Sequence, residues 1–288
     1  MSTRIQIQMA VIVCTLVRGL QADGRIQAEE VQEMRMVAAA QLDQALQAST
    51  SVDDPVRQIA ILKAAASETR RTMTANVFVA ELFGKVEQTN ATAATSLAQE
   101  WRRAATEARD ILRFEPLVEA PLPEGFPTLT PVGEIRVQQY PRYRQARTQM
   151  TFIEGSAFWT LFNHIKRSEI AMTAPVEITY SAARDAVPKK SVMSFLYRST
   201  EQGQLGNQGK VQVVDIPAQM ALSIGIRGDA SAERVADAQR RLENWLKTDN
   251  AGYEAAGAFR VMGYNSPFVS NSKRFTEVQI PVVAAQQQ

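Results

Sequence analysis

His164 is the only imidazole and Cys14 the only thiol in this chain. That excludes an intrachain disulfide, and it excludes a zinc site built from Cys and His, which needs three or four such ligands at short spacings. A Ser-His-Asp triad would have to recruit His164, and neither a Gly-x-Ser-x-Gly elbow nor a His-Glu-x-x-His helix occurs. Ser270-Asn271-Ser272-Lys273 matches a Ser-x-x-Lys pattern without its partner motifs. Gly203 to Lys210 is glycine-rich, but it joins two strands, with no helix behind it to hold a phosphate. The carboxylate pairs Glu29-Glu30, Asp53-Asp54 and Glu107 with Asp110 fall on helices and caps, where charge faces solvent or complements a helix dipole. General acid–base chemistry is therefore not indicated. A net charge of +2, with both signs spread along the chain, gives no field for nucleic acid.

The elements that must position any site fall into two textures. From Ile5 to about Arg113 the chain is rich in Ala, Gln, Glu, Arg and Leu and nearly free of proline, which predicts three or four helices. One covers Ala28 to Leu46. Another starts at the Asp53-Asp54-Pro55 cap and carries Ile59, Leu62, Ala66, Met73, Val77, Ala80 and Val86 at helical spacing. A third runs from Ala91 to Leu112 with Leu97, Trp101, Ala105, Ala108 and Leu112 on one face. Such stripes must be buried against one another or a neighbour, so a small bundle is expected at 1–114, with protein-partner docking as a second use. Within it, Met9 to Val17 is an apolar run behind Arg4. Residues 1–22 read as either a secretory signal or an amphipathic helix. The run is shorter than the roughly 20 apolar residues of a membrane span, so no integral span is expected. Leu20-Gln21-Ala22 is a poor cleavage site, which favours a cytoplasmic location over export.

Residues 115–131 hold Pro116, Pro121, Pro123, Pro127 and Pro131 and read as a linker. Beyond it, over 132–284, the order strand, helix, strand, strand occurs twice, followed by a tail at 285–288. The first unit has a strand in Glu134–Met150, a helix in Ser156–Ile165 and strands in Ala171–Tyr180 and Ser191–Arg198. The second has a strand in Val211–Gly228, a helix in Ser231–Thr248 and strands in Phe259–Tyr264 and Arg274–Val282. Phe158, Leu161, Phe162 and Ile165 stripe one helix, and Val235, Ala238, Leu242, Trp245 and Leu246 the other. The fold class is α+β: a pseudo-duplicated β-α-β-β antiparallel sheet or distorted barrel with two helices, preceded by an all-α region.

Three segments of the C-terminal half resemble the SOUL family of haem-binding proteins. They are Glu134-Ile135-Arg136 through Tyr140-Pro141, then Ile170-Ala171-Met172-Thr173-Ala174-Pro175-Val176, then Gly263-Tyr264-Asn265-Ser266-Pro267-Phe268 with Arg274 and Glu277-Val278 behind it. The resemblance spans about 132–283 and leaves the helical half outside. It implies a domain that binds haem or another tetrapyrrole in an apolar pocket, without catalysis, as carrier, buffer or sensor. On that reading Met172, Met193, Phe195, Met220, Met262 and Phe268 are expected to turn towards a shared interior. Met supplies adaptable contacts there, and Phe a stacking face. Lys166, Arg198 and Arg274 are expected at the rim against the ring carboxylates. The first helix departs from the family in carrying no cation before Lys166. His164 is the one imidazole available to iron, although its place near a helix end also suits a dipole or capping role. Two alternatives stand beside this: an effector-binding-like domain for another lipophilic small molecule, and an enzyme acting on haem through His164 or Tyr264.

Overall fold

The computed structural model describes residues 28–90, 93–151, 155–181, 189–248 and 252–285. The signal or helix expected at 1–22, with Cys14, lies outside them. Four helices come first: α1 (Ala28–Thr50), α2 (Pro55–Thr72), α3 (Val77–Glu87) and α4 (Ala94–Arg113). The single run of helical spacing expected from Pro55 to Val86 is broken into two. Asn76 is the reason: its side chain accepts from Val79 N as an N-cap, and its Nδ2 donates to Val132 O, 2.9 Å away. That bond ties the start of α3 to the chain leading into the sheet. Trp101 of α4 is fully buried and stacks on Phe83 of α3, with ring centroids 6.1 Å apart.

The remaining elements are β1 (Ile135–Tyr140), β2 (Tyr143–Gln149), α5 (Ser156–Arg167), β3 (Val176–Tyr180), β4 (Lys190–Leu196), β5 (Gly206–Gln208), β6 (Val211–Ile216), β7 (Gln219–Arg227), α6 (Ala232–Leu246), β8 (Tyr253–Ala255), β9 (Arg260–Gly263) and β10 (Phe275–Ala284). They build one antiparallel sheet in the order β1-β7-β10-β9-β3-β4-β2-β6-β5, with β8 beside β10. The sheet is not closed into a barrel, and outward from the central β9–β3 pair its order is mirrored as far as β1 on one side and β6 on the other, with β5 added beyond β6. β2-β4-β3 mirrors β7-β10-β9, each trio formed by one strand-helix-strand-strand unit. The long strands expected at Glu134–Met150 and Val211–Gly228 each break once, at Pro141 and Pro217, where no backbone N–H can enter the ladder. Their register nevertheless continues across the break. Ile135 pairs with Ile224 and Tyr140 with Gln219, and Tyr143 then pairs with Ile216 in unbroken sequence.

The strand expected from Ala171 begins only at Val176. The preceding residues bond elsewhere: Thr173 Oγ1 donates to Leu196 O (2.6 Å) and Ala174 N to Pro121 O (3.1 Å). The connection at Gly203–Lys210, in turn, contains β5, which pairs with β6 through a Gly209-Lys210 turn in which Gly209 takes φ +67.

One face of the sheet is apolar and covered by α5 and α6 side by side. Ala146, Phe195 and Val213 meet Leu161 and Ile165, while Leu222, Ile224, Val261, Val278 and Ile280 meet Val235, Ala238 and Leu242. The opposite face is covered by the helices and by the proline-rich segment. Met262, Tyr264 and Phe275 share a cluster with Phe83, Trp101, Leu112 and Phe114, and Phe114 stacks on Phe275 at 6.3 Å. Phe126 lies edge-on to both Tyr140 and Tyr143, at 5.1 and 5.2 Å.

Candidate functional site

Helix α5 follows Gly155, whose φ of +77 turns the chain into it, and its sequence SAFWTLFNHIKR has two non-polar faces. Ala157, Leu161, His164 and Ile165 recur at helical spacing and are buried against the sheet. Phe158, Trp159 and Phe162 point to the next face round the helix. Phe158 and Phe162 stack at 6.0 Å, and the Trp159 indole stands edge-on to both, at 5.6 and 5.7 Å. Phe158 also meets Phe195 of β4 edge-on at 5.2 Å. Trp159 remains 59% exposed, a large aromatic surface held by packed neighbours.

Of the residues expected in the pocket, Met172, Met193 and Phe195 come together here, packed with Phe158 and Phe162. Lys166 is exposed at the end of the same helix. The others lie elsewhere. Met220 packs in the cluster under α6, and Met262 in the cluster shared with the helical region. Strand parity is the cause for Met262: Val261 points to the face under α6, so its neighbour points to the other. Phe268 is 97% exposed in the loop after β9. Arg274 organises that loop, donating from Nε to Val269 O and from Nη2 to Pro267 O. Arg198 is exposed, its Nε 3.7 Å from Glu124.

The His164 ring is buried, with Nε2 2.8 Å from the Tyr197 hydroxyl. Burial, and then the nearby Arg167 charge, push its pKa below the ordinary value, which keeps the imidazole neutral. Burial raises the Tyr197 hydroxyl to about 12. Tyr264 is likewise committed. It donates to Glu277 Oε2 at 2.7 Å inside a polar network on the face opposite α5. There Glu277 also accepts from Thr130 N and Gln279 Nε2, Gln279 Nε2 donates to Tyr140, and Arg260 reaches Gln279, Tyr143 and Glu177. Burial raises the Glu277 pKa against the pull of these donors, and it raises Tyr140, Tyr143 and Tyr264 as well. Through the bond from Thr130 N to Glu277 this network also ties the proline-rich segment to the sheet. Among the described residues no group of three or more His, Cys, Asp or Glu could hold a metal ion, and no helix is long and apolar enough to cross a membrane.

Sequence reasoning passed over Trp159. Its signal was a large aromatic one position out of step with the buried stripe, on the side of the helix that Thr160 and Asn163 mark as polar.

Among solved structures, the chain is similar to EcmrR in a complex with DNA, at 16% identity and TM-score 0.42. That match covers 53% of this chain, and the chain spans only 58% of that one. The EcmrR C-terminal domain alone matches at 19% identity and TM-score 0.41, over 53% of this chain and 98% of that one. A hydrolase from Listeria innocua matches at 13% identity and TM-score 0.41, over 54% and 94%. A comparison with curated proteins gives no match. The family model described as "SOUL heme-binding protein" matches residues 127–281, which takes in the whole sheet up to β10 together with α5 and α6. With more than half of its length inside that match, the chain belongs to the SOUL haem-binding protein family.

Proposed function

We propose that this protein binds haem or a related tetrapyrrole without transforming it, as a carrier, buffer or sensor, and that the ring lies on the outward face of α5. Family membership supports the ligand class. The observation that carries the position is the Trp159 indole, largely exposed and braced by Phe158 and Phe162, which offers a flat ring a stacking surface already in place. Met172 and Met193 supply polarizable contacts beside it. His164 Nε2 is engaged by Tyr197, so the ring is held by surface contacts and not by this imidazole. The engagement of both His164 and Tyr264 in buried hydrogen bonds also supports binding over turnover.

Titration of the full chain with ferric haem and with metal-free protoporphyrin, read by absorbance and tryptophan fluorescence, tests this. Both are expected to bind saturably in about the micromolar range. Trp159→Ala is expected to weaken both by about tenfold, the worth of one good aromatic contact, with an unchanged urea midpoint because the ring is exposed. His164→Ala is expected to leave the ferric haem absorbance spectrum as in the wild type. A spectrum altered for haem, with protoporphyrin affinity kept, would make His164 an iron ligand after all. No saturable binding of either compound would sink the proposal and move the face to another lipophilic molecule.

A further inference from the structure

Helix α5 carries its aromatic group on the outside of the domain. Ala157, Leu161, His164 and Ile165 are buried against the sheet, while Trp159 is 59% exposed and Phe158 and Phe162 are half-buried beside it. The grooves of about 1290 and 750 Å³ are lined by none of these three rings, and among the described residues the aromatic group forms a raised face. That shape sets a limit. A flat macrocycle lying on a raised face is covered on one side only, about half of its surface, whereas small-molecule sites bury about 70–90% of their ligand. The other side stays in water, with the full hydrophobic drive to leave it. With His164 Nε2 engaged by Tyr197, stacking holds the ring, and the two sides of a flat macrocycle stack alike. A surface that fits one side therefore fits the other.

We infer that two copies of this chain share one ring, each laying Phe158, Trp159 and Phe162 of α5 on one side of it. This rests on the tetrapyrrole reading and adds the partner that completes the site. The contact is isologous, with the same patch on both copies about a two-fold axis in the plane of the ring. An axis that crosses α5 sets the two helices antiparallel. Their dipoles then oppose favourably, and Lys166 and Arg167, in the last turn, lie at opposite ends of the contact in the two copies. Area fixes the order of events. The exposed parts of the three aromatics amount to about one whole side chain per copy, about 200 Å², against the roughly 1,200 Å² in total that a stable interface buries. This face therefore joins two copies only when the ring lies between them.

Sedimentation of the full chain with increasing metal-free protoporphyrin, followed at the protein and ring absorbances, measures mass and stoichiometry together. The mass is expected to double at one ring per two chains and to fall back to its ring-free value in excess ring, when each copy holds a ring of its own. Trp159→Phe is expected to keep the doubled species at severalfold weaker ring affinity, and Trp159→Ala to lose it. An undiminished doubled species in Trp159→Ala would put the shared ring elsewhere and overturn the inference. Saturation at one ring per chain with no change of mass overturns it and leaves the tetrapyrrole reading standing. A doubled mass that carries two rings does the same, since it means a stacked pair of rings between the copies. If the wild type binds no ring at all, both fail together.

Discussion

Two guanidinium groups meet one carboxylate at Asp215. Arg144 Nε lies 2.7 Å from its Oδ1, and Arg142 reaches its other oxygen. The hydrogen bonds from Arg144, then those from Arg142, hold the Asp215 pKa down to about 2 against the ordinary 3.8. A carboxylate depressed in the folded state contributes stability above its unfolded value, and that contribution is lost as pH falls from about 4 towards about 2. Asp215→Asn should therefore be less stable than the wild type near neutrality, by on the order of 1 to 2 kcal/mol, and should lose less on acidification across that window. Urea unfolding at pH 6 and at pH 2.5 measures it, and parallel losses in the two proteins would refute the assignment. Arg144 also donates from Nη1 to Gln202 O and Gly203 O, so the same carboxylate orients the side chain that fixes the turn after β4. At this scale the sequence was informative where chemistry is local. His164 as a helix-end residue could be read directly, whereas its bond to Tyr197 joins positions 33 residues apart.

At the scale of elements, the proline-rich segment presses closest on β7. The Thr130 and Pro131 carbonyl oxygens lie 2.2 and 2.8 Å from where a Cβ on Gly225 would stand, and Val132 bridges to Gly225. Any side chain at 225 must push the segment off the strand. Gly225→Ala is expected to cost about 3 kcal/mol and to speed amide exchange in residues 130–134. A change of less than about 0.5 kcal/mol would mean that the segment yields freely. Composition predicted this segment as a linker because five prolines forbid a helix. Its hydrogen bonds to Glu277, Gln138 and Arg198, however, depend on strands that follow it in the chain. Helix α4, in contrast, was legible from spacing alone, since Trp101, Ala105, Ala108 and Leu112 all prove buried.

At the scale of the whole molecule, the helices and the sheet share one hydrophobic cluster, so removing residues 1–131, the helices with the proline-rich segment, leaves Met262, Tyr264 and Phe275 uncovered and Glu277 without Thr130 N. The full chain is expected to unfold in urea as one transition, and a chain starting at Val132 to show a lower midpoint and to bind an apolar dye. Two separate transitions in the full chain, with the second matching the truncated one, would overturn this.

The sequence by itself determined the class of fold, the repeated strand-helix-strand-strand order, the helical spacing of α4, α5 and α6 and the family motifs, because periodicity and turn residues act over a few positions. Only the tertiary structure decided the order of the strands, which wall each methionine joined and what covers the second face of the sheet. Those outcomes depend on partners far apart in sequence and on the parity of the pleat, where a shift of one residue sends a side chain to the opposite face. Phe268 shows the difference plainly: its motif was recognisable, while its position in an exposed loop followed from Arg274 binding the loop's carbonyls.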